Sequence, residues 1–372
     1  MRTPHAYAAL SALLIVLALP SAAFADTLTL TSPVAATCVT DDEAVFTVQD
    51  GALHPVRGQF MIFPPGGAAF RPFVSESTDG QPGQLLRMYA WSAEALDSLT
   101  VEIGRVEPGK PPAAPVARAR GFRFGSVKGM TMWMVLLGIP PWDAPGEYTL
   151  TLTAAAGPRS YLRLEPFTVG ARSFVTERIP LSASLTDLAT AEDAQKTRES
   201  RTLAQVLSTP HPDAVFETGT LAVPIPGARR TSGYGDRREY DYSNGTKGYS
   251  IHLGVDIASP DGTLVPASGR GRVVFASPRI LTGNTIIIEH LPGLFTVYYH
   301  LSSIRVNVGE AVEKGQVIGA VGMTGFATGP HLHWEVEALG TPVDPDAAAS
   351  GALLDKIDDF FDISGAAGTE GR

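Results

Sequence analysis

The sequence predicts a mainly β protein, with an N-terminal β-sandwich, a helical linker and a C-terminal all-β domain. Short runs rich in β-branched and aromatic residues recur along most of the chain, separated by clusters of glycine, proline and aspartate. By contrast, residues 184–207 contain neither glycine nor proline and carry a thin helical pattern of apolar residues. The length of 372 residues exceeds that of one ordinary domain, so two domains are expected.

Composition and charge narrow the functional class. With 44% hydrophobic and 18% charged residues, the chain has a globular composition. Its formal net charge is -9 and no lysine- or arginine-rich run occurs, whereas nucleic-acid binding rests on basic residues that neutralise phosphates. A nucleic-acid partner is therefore not expected.

Residues 1–25 have the features of a secretory signal peptide. Arg2 precedes an apolar run over residues 8–19, and the small-x-small triplet Ala23-Phe24-Ala25 follows. The apolar run is shorter than the roughly 20 residues that a membrane-spanning helix needs. We expect cleavage before Asp26 and no membrane association afterwards; the alternative is an N-terminal membrane anchor.

Residues 26–175 show the regular strand spacing of an antiparallel β-sandwich. Residues 145–153 resemble the late strand of bacterial Ig-like domains, so the sandwich is expected to be Ig-like. No catalytic constellation occurs here: His54 is expected at the surface, and the sole cysteine, Cys38, as a small buried residue. The predicted strands are 27–31, 44–48, 59–63, 85–91, 99–103, 130–137, 147–152 and 161–169.

Residues 176–218 are expected to link the two domains. Between Ser184 and Leu207 apolar residues recur amid charged ones, which predicts a helix lying on one of the domains. The prolines on either side of His211 would follow the end of this helix. A histidine between two prolines could be imagined as a ligand, but His211 is expected in an exposed turn.

Residues 219–347 are dense in glycine and in short apolar alternations, which predicts an all-β domain with many tight turns. Residues 308–319 are expected to form a hairpin of the scaffold. Residues 348–372 are expected to be a C-terminal tail, with a short acidic helix over residues 353–361. The predicted strands are 264–266, 271–276, 284–289, 295–299, 304–308 and 316–321.

Two histidines, His331 and His333, stand two positions apart in a further predicted strand. Both then project from one face, while the apolar residues between and after them take the opposite face and can pack into a core. A His-x-His pair is common by chance and is weak evidence for a metal site on its own. Upstream, His252 and Asp256 lie four positions apart, and His300 follows two tyrosines.

These residues lie in three motifs whose order resembles that of the lysostaphin-like zinc peptidases, the M23 or LytM family of peptidoglycan endopeptidases. The motifs are His252-x-x-x-Asp256, a Tyr-x-His-Leu type element ending at His300, and Gly329-Pro330-His331-Leu332-His333. The resemblance covers the C-terminal domain alone. Its specificity lies in the combination of the three motifs.

The resemblance implies one Zn2+ per chain, held by His252, Asp256 and His333. It implies His300 and His331 as the catalytic pair, without settling which is the general base. Zinc chemistry agrees, because a catalytic zinc takes three N, O or S protein ligands and leaves a fourth position to water. One extended segment could supply the first two ligands and a second segment the third. The competing interpretation is a set of unrelated polar residues with satisfied hydrogen bonds.

Other polar and aromatic residues of this domain carry weaker expectations. His290 is expected to be structural, and Trp334 to belong to the core or to the wall of the groove. Tyr234 and Arg237 occupy the region where the family lines its substrate groove. Arg237 could therefore meet a carboxylate of the stem peptide.

The chain departs from the family pattern just before the first motif. Where His-Pro is often found, this chain has Arg238-Glu239-Tyr240. Residues 241–250 lengthen the following loop, which is expected to form one rim of the groove. The difference bears on substrate preference and leaves the candidate ligands in place.

The sequence therefore predicts an exported zinc metalloendopeptidase that hydrolyses peptide bonds in peptidoglycan, in the periplasm or elsewhere in the cell envelope. The expected location in the cell envelope, and not any particular residue, favours D-alanyl to diaminopimelate crosslinks over glycyl bridges as the bond that is cleaved. The alternative is a non-catalytic regulator that activates other cell-wall hydrolases. A third possibility is a latent enzyme, in which the linker or the sandwich covers the groove. The N-terminal domain would then make a regulatory contact with the peptidase domain or with another envelope protein.

Overall fold

A computed structural model describes residues 36–39, 45–49, 52–55, 79–92, 95–106, 114–127, 130–157, 159–351 and 353 of the chain. The predicted signal peptide and the predicted strands 27–31 and 59–63 lie outside these residues. So does the tail beyond residue 353, with its predicted acidic helix. The side chains of Cys38 and His54 are also outside the description.

The described part of the N-terminal domain consists of two β-sheets. Its strands are β1 (Ala36–Val39), β2 (Val45–Gln49), β3 (Ala52–Pro55), β4 (Asp79–Gly80), β5 (Leu85–Ser92), β6 (Ser98–Arg105), β7 (Ala117–Arg120), β8 (Phe122–Val127), β9 (Met130–Gly138), β10 (Gly146–Ala156) and β11 (Arg159–Val169). The larger sheet has the order β3-β2-β1-β11-β10-β6-β7, with β4 against β11, and the smaller has the order β5-β9-β8. Strands β7 and β8 were not predicted, because arginines interrupt the apolar pattern there, at alternate positions of β7 and at Arg123 in β8.

The two sheets pack face to face as in the predicted sandwich, but the expectation of a purely antiparallel arrangement is wrong, because β1 and β4 each pair in parallel with β11. Buried and less buried residues alternate along β6, so that Val101 and Ile103 point inward. They share one core with Trp133 and Val135 of β9. The finer assignment of this sandwich to the Ig-like class stays a prediction.

The linker contains a strand, β12 (Thr176–Pro180), and two helices, α1 (Ala183–Thr190) and α2 (Ala194–Ser208). The prediction of one continuous helix over residues 184–207 is wrong. The Asp193 side chain accepts a hydrogen bond from the Gln195 N–H and caps a new helix. Among the described residues, the helices lack the combined length and apolar character needed to cross a membrane.

The C-terminal domain is built mainly of β-strands. They are β13 (Arg230–Ser232), β14 (Arg237–Asp241), β15 (Lys247–Ile251), β16 (Val255–Ala258), β17 (Leu264–Pro266), β18 (Gly271–Arg279), β19 (Gly283–Leu291), β20 (Leu294–Leu301), β21 (Ser303–Ile304), β22 (Ala311–Val312), β23 (Val317–Ala320), β24 (His331–Ala338) and β25 (Thr341–Val343), followed by helix α3 (Pro345–Ala348). The main sheet has the order β13-β16-β24-β20-β19-β18-β22, with β25 against β24. A small sheet has the order β17-β23-β21.

The predicted hairpin over residues 308–319 is wrong. A tight turn exists, but β22 pairs with β18, whereas β23 pairs with β17 and β21. The Gly315 N–H donates to the Ala267 carbonyl, and the Ala267 N–H donates to the Gln316 carbonyl. These bonds draw the chain after the turn towards β17 and away from β22.

The smaller N-terminal sheet buries both of its faces. Met132, Met134 and Leu136 alternate along β9 with the residues that face the sandwich, and they belong to the core of the C-terminal domain. Arg172 forms an ion pair with Asp344 across the same junction. The sandwich and the C-terminal domain are therefore joined by a shared hydrophobic core.

The linker also packs on the C-terminal domain. Strand β12 pairs in parallel with β14, which pairs with β15, so the predicted rim loop is a hairpin with the linker at its edge. Leu207 of α2 packs with Val297 and Tyr299 of β20. These two residues lie opposite Glu335 and His333 of β24. Helix α2 therefore covers the sheet face that carries the second His of the His-x-His pair.

His211 anchors the end of the linker. Its backbone N–H donates to Glu289 Oε1 at 3.0 Å, and its ring contacts the other oxygen of the same carboxylate. The Glu289 side chain is fully buried. His211 begins a turn and its side chain is 44% exposed, as expected, and it also supplies a partner that this buried carboxylate requires.

Candidate metal and catalytic site

Three adjacent strands of the main sheet position most of the candidate residues. In the order β16-β24-β20, Asp256 lies opposite His333, and His333 lies opposite Tyr299, so the three side chains share one face. His252 precedes β16, and its backbone N–H donates to the Asp236 carbonyl. The expectation that one strand carries both His252 and Asp256 is therefore wrong, because only Asp256 lies in a strand.

The three candidate ligands each present one atom to a common point. The distances are 3.1 Å from His252 Nε2 to Asp256 Oδ1, 2.8 Å from His333 Nδ1 to Asp256 Oδ1, and 2.8 Å from His252 Nε2 to His333 Nδ1. All three side chains are buried. Around a tetrahedral zinc, ligand atoms at bond lengths near 2.1 Å lie about 3.4 Å apart. The two nitrogens and one oxygen therefore fit a zinc ion after a small outward movement.

Hydrogen bonds fix which ring nitrogen of each ligand histidine is free. His252 Nδ1 lies 2.7 Å from the Gly233 carbonyl oxygen, which can only accept, so Nδ1 carries the proton. His333 Nε2 lies 2.8 Å from Glu335 Oε1 and donates to that carboxylate. His252 Nε2 and His333 Nδ1 are then the nitrogens that can face a metal, and His333 presents its lone pair once the Nδ1 proton has left.

The electrostatics of the group favour a bound cation. Burial lowers the pKa of His252 and keeps it neutral, as a metal ligand must be. Burial opposes ionisation of Asp256, but the adjacent rings of His252 and His333 hold its pKa well below the usual value. Burial also opposes protonation of His333, yet its bonds to Asp256 and Glu335 raise its pKa to about 9. Two buried carboxylates thus attract positive charge to this point.

His300 and His331 lie beside the candidate ligands. Their ring centroids are 4.8 Å apart, and His331 Nε2 lies 3.6 Å from Asp256 Oδ1. His300 Nδ1 donates to the Thr324 carbonyl at 2.8 Å, and His331 Nδ1 donates to the Gly329 carbonyl at 2.8 Å. Each ring therefore keeps an Nε2 lone pair that can accept a proton.

The backbone of His300 departs from the strand geometry around it. Its φ of 60° is in the left-handed region, which residues other than glycine rarely adopt. Strict alternation would place its side chain on the face opposite to Tyr299, yet its ring centroid lies 6.1 Å from that of His333. Burial, followed by the nearby rings of His331 and His333, lowers the pKa of His300 to about 3. Strain of this kind is concentrated at functional positions.

Two charged residues to which the sequence motifs assigned no role, Arg238 and Glu335, contact the candidate ligands. Arg238 Nη2 donates to Asp256 Oδ2, and the Arg238 Nε lies 3.7 Å from the Glu177 carboxylate of the linker strand. Glu335 holds His333 through Nε2. The signal for Arg238 was the departure from the family pattern at that position. For Glu335 it was a carboxylate two residues after His333, on the same face of a strand.

Two residues expected in the groove lie elsewhere. Arg237 donates to the Pro141 carbonyl at 2.7 Å and lies over the Phe174 ring at 4.6 Å. Tyr234 is buried and donates to the Pro342 carbonyl at 2.8 Å. The expectation that Tyr234 and Arg237 line the substrate groove is wrong, because both pack at the junction with the N-terminal domain.

His290 and Trp334 occupy the structural positions expected of them. His290 is fully buried, with Nδ1 at 2.8 Å from the Arg270 carbonyl and Nε2 at 2.7 Å from Thr296 Oγ1. Both of its nitrogens are therefore used within the fold. Trp334 is fully buried in the core of the C-terminal domain and does not line a groove.

Comparison with known proteins decides the family of the C-terminal domain. The sequence profile of peptidase family M23 matches residues 250–345, a range that contains all five candidate residues. This part of the chain is an M23 peptidase domain. The resemblance inferred from the three motifs is thereby confirmed.

Curated relatives match about a quarter of this chain. The chain is 44% identical over 101 residues to the DD-carboxypeptidase/endopeptidase Mpg of Neisseria meningitidis serogroup B, which covers 27% of this chain and 23% of that protein. It is 46% identical over 99 residues to the peptidoglycan DD-endopeptidase ShyA of Vibrio cholerae serotype O1, with the same coverage of 27% and 23%. The chain thus spans about a quarter of the length of these relatives.

A solved structure matches about a third of this chain. The catalytic domain of the antimicrobial peptidase lysostaphin from Staphylococcus simulans is 35% identical, with 32% of this chain and 90% of that chain covered and a TM-score of 0.28.

Proposed function

We propose that this chain is an exported zinc metalloendopeptidase that hydrolyses peptide bonds in peptidoglycan, in the periplasm or elsewhere in the cell envelope. The observation that carries the proposal is the convergence of His252 Nε2, Asp256 Oδ1 and His333 Nδ1 within 3.1 Å of one another, beside two further imidazoles. The substrate class is supported by relatives whose names describe DD-endopeptidases.

The proposed mechanism divides the work between ligands and bases. One Zn2+ per chain, held by His252, Asp256 and His333, would polarise the scissile carbonyl and acidify a water. His300 and His331 each offer an unprotonated Nε2 that can take the proton of the attacking water. Once protonated, either ring can donate a hydrogen bond to the developing oxyanion or a proton to the leaving amine. We assign them as a pair, without dividing the two roles.

Digestion of peptidoglycan sacculi tests this function. We expect purified protein to release peptide-cleaved fragments and to lose this activity with a chelator. His331→Ala should lose at least about a hundredfold in rate, the scale of general acid–base catalysis. Wild-type protein that releases nothing alone, yet accelerates another wall hydrolase, would instead establish the regulator. His290→Gln is the matched control, because His290 is a buried histidine of the same sheet that makes no contact with the site.

The bond that we propose is the D-alanyl to diaminopimelate crosslink. The support comes from the DD-endopeptidase names of the relatives and from the expected export to the cell envelope. Mass analysis of the released muropeptides distinguishes this bond from glycyl bridges, since the two cleavages leave different terminal residues.

We propose in addition that the linker regulates access to the site. Helix α2 packs on Val297 and Tyr299, on the same sheet face as His333. Strand β12 lies at the edge of the rim hairpin and places Glu177 beside Arg238, which contacts Asp256. The linker therefore contacts two residues that adjoin candidate ligands: Tyr299, which stacks on His333, and Arg238, which contacts Asp256.

A further inference from the structure

Strand β24 carries two buried carboxyl groups on the face of the candidate ligands. Glu335 and Glu337 are 5% and 4% exposed. An ion removed from water costs several kcal/mol unless it is paired. Within the described part of the chain, Glu335 forms no ion pair with lysine or arginine, and its charged partner is His333 at 2.8 Å. For Glu337, burial followed by the charge of Glu335 raises the pKa well above the usual value.

The contact between Glu335 and His333 is enclosed on two further sides. The Tyr299 ring stacks on the His333 ring, with centroids 5.3 Å apart and planes at 17°. Opposite, a Cβ at Gly254 would lie 2.8 Å from Glu335 Cγ and 2.9 Å from His333 Nε2. The pair is thus held between an aromatic ring and a backbone that has no room for a side chain.

We propose that Glu335 is the positioning residue of the metal site, because its carboxylate fixes the orientation and the tautomer of His333. This inference rests on the proposed metallopeptidase function. The His333 ring can present Nδ1 to the metal only while Nε2 carries the proton and points away from it. Glu335 Oε1 accepts that proton's hydrogen bond and selects this arrangement.

The same contact makes His333 a better ligand. A hydrogen bond from a ring N–H to a carboxylate increases the electron density on the opposite nitrogen and raises its basicity. The outer contacts of the two other candidate ligands add no negative charge: His252 contacts the neutral Gly233 carbonyl, and Asp256 contacts a cation, Arg238. Glu335 is therefore the outer contact whose negative charge adds to the attraction for a metal ion.

Metal affinity of the full-length protein tests the inference. Zn2+ is titrated against a chromophoric chelator, which reports binding and not peptide cleavage. We expect Glu335→Gln to weaken Zn2+ binding about ten- to a hundredfold, the usual effect of losing such an outer contact. Glu337→Gln is the matched control, because it removes a neighbouring buried carboxyl that does not touch His333. It should stay within about twofold of wild type, well below the effect of losing an outer contact.

The outcomes separate this inference from the proposed function. Wild-type protein that binds no Zn2+ overturns both. Zn2+ bound equally by wild type and Glu335→Gln overturns the inference alone, and so does an equal loss in both glutamine variants, which indicates a packing effect. Should Glu335→Gln fail to fold, Glu335→Asp keeps the charge and shortens its reach. Wild-type affinity in that variant overturns the inference, and a loss of tenfold or more supports it. A changed visible spectrum of bound Co2+ in the Glu335 variant alone would report the reoriented imidazole.

Discussion

Two buried histidines of the same sheet, His290 and His333, differ in what surrounds them. The partners of His290 are a carbonyl and a hydroxyl, which satisfy both ring nitrogens. The partners of His333 include the carboxylates of Asp256 and Glu335. Burial lowers the pKa of His290 to about 4, whereas the carboxylates outweigh burial and raise that of His333 to about 9. A buried histidine with neutral partners, such as His290, therefore stays neutral and structural. The two carboxylates around His333 instead favour the binding of a cation.

Among the variants that test this difference between His290 and His333, Gly254→Ala should have the largest effect on Zn2+ affinity. The new Cβ would lie 2.3 Å from the Trp334 carbonyl oxygen and 2.9 Å from His333 Nε2, so strand β24 or the ligand segment must move. We expect Zn2+ affinity to fall about a hundredfold or more, because two of three ligands lose their geometry. Chelator competition measures the loss.

Gly271→Ala is the matched control for the His290 cluster. Its Cβ would lie 2.5 Å from the Glu289 carbonyl oxygen and 3.0 Å from His290 Nδ1. We expect a lower melting temperature, from an overpacking cost of about 1–3 kcal/mol, with Zn2+ affinity unchanged. Loss of affinity in both variants would show that metal binding responds to general destabilisation, and would remove the contrast between the clusters.

The second prediction concerns the pH dependence that a neutral buried histidine imposes. Because the folded pKa of His290 is about 4 and the unfolded one about 6.5, the unfolded state takes up a proton in this window and the folded state does not. The free energy of unfolding should therefore fall as the pH drops from 6.5 to 4, by about 3 kcal/mol from this residue.

Denaturant melts of wild type and His290→Gln between pH 7 and pH 4.5 isolate that contribution. The variant should be less stable at pH 7 and show a shallower decline on acidification, because the titrating group is gone. Parallel curves for the two proteins would contradict the assignment of His290 as a neutral structural residue.

The candidate residues were accessible from sequence because the His-x-His pair lies on a strand with strict alternation. Strand β24 carries both histidines on one face, and the buried Trp334 on the other. The left-handed backbone of His300 was beyond such reasoning, since alternation alone sends its ring to the wrong face. Arg237 was misplaced for a related reason: its partner, the Pro141 carbonyl, comes from another domain.

The same limit applies to the fold. Alternating apolar residues predicted most strands of both domains. The alternation of apolar residues does not reveal that β9 buries both faces, or that the linker strand β12 extends the hairpin of β14 and β15. Both features depend on how domains pack, and a local period of two residues carries no information on that.

The smallest expected effect is that of Arg238→Met, which removes the cation from the outer oxygen of Asp256. Two contributions oppose each other. The loss of a positive charge beside the site strengthens the attraction for Zn2+, while the loss of a charge-assisted hydrogen bond loosens Asp256. The metal-facing oxygen keeps its own contacts with His252 and His333, so we expect Zn2+ affinity to change by less than about tenfold, short of the usual cost of losing an outer contact.

Glu177→Gln serves as the control for Arg238→Met, because it alters the linker carboxylate beyond Arg238 and leaves Asp256 its partner. We expect Glu177→Gln to bind Zn2+ as tightly as wild type and Arg238→Met to change the affinity only slightly. This result would show that the linker does not contribute to metal binding. A loss of a hundredfold in Arg238→Met would instead place Arg238 beside Glu335 as a positioning residue. A matching loss in Glu177→Gln would show that the linker strand acts on the metal site through Arg238.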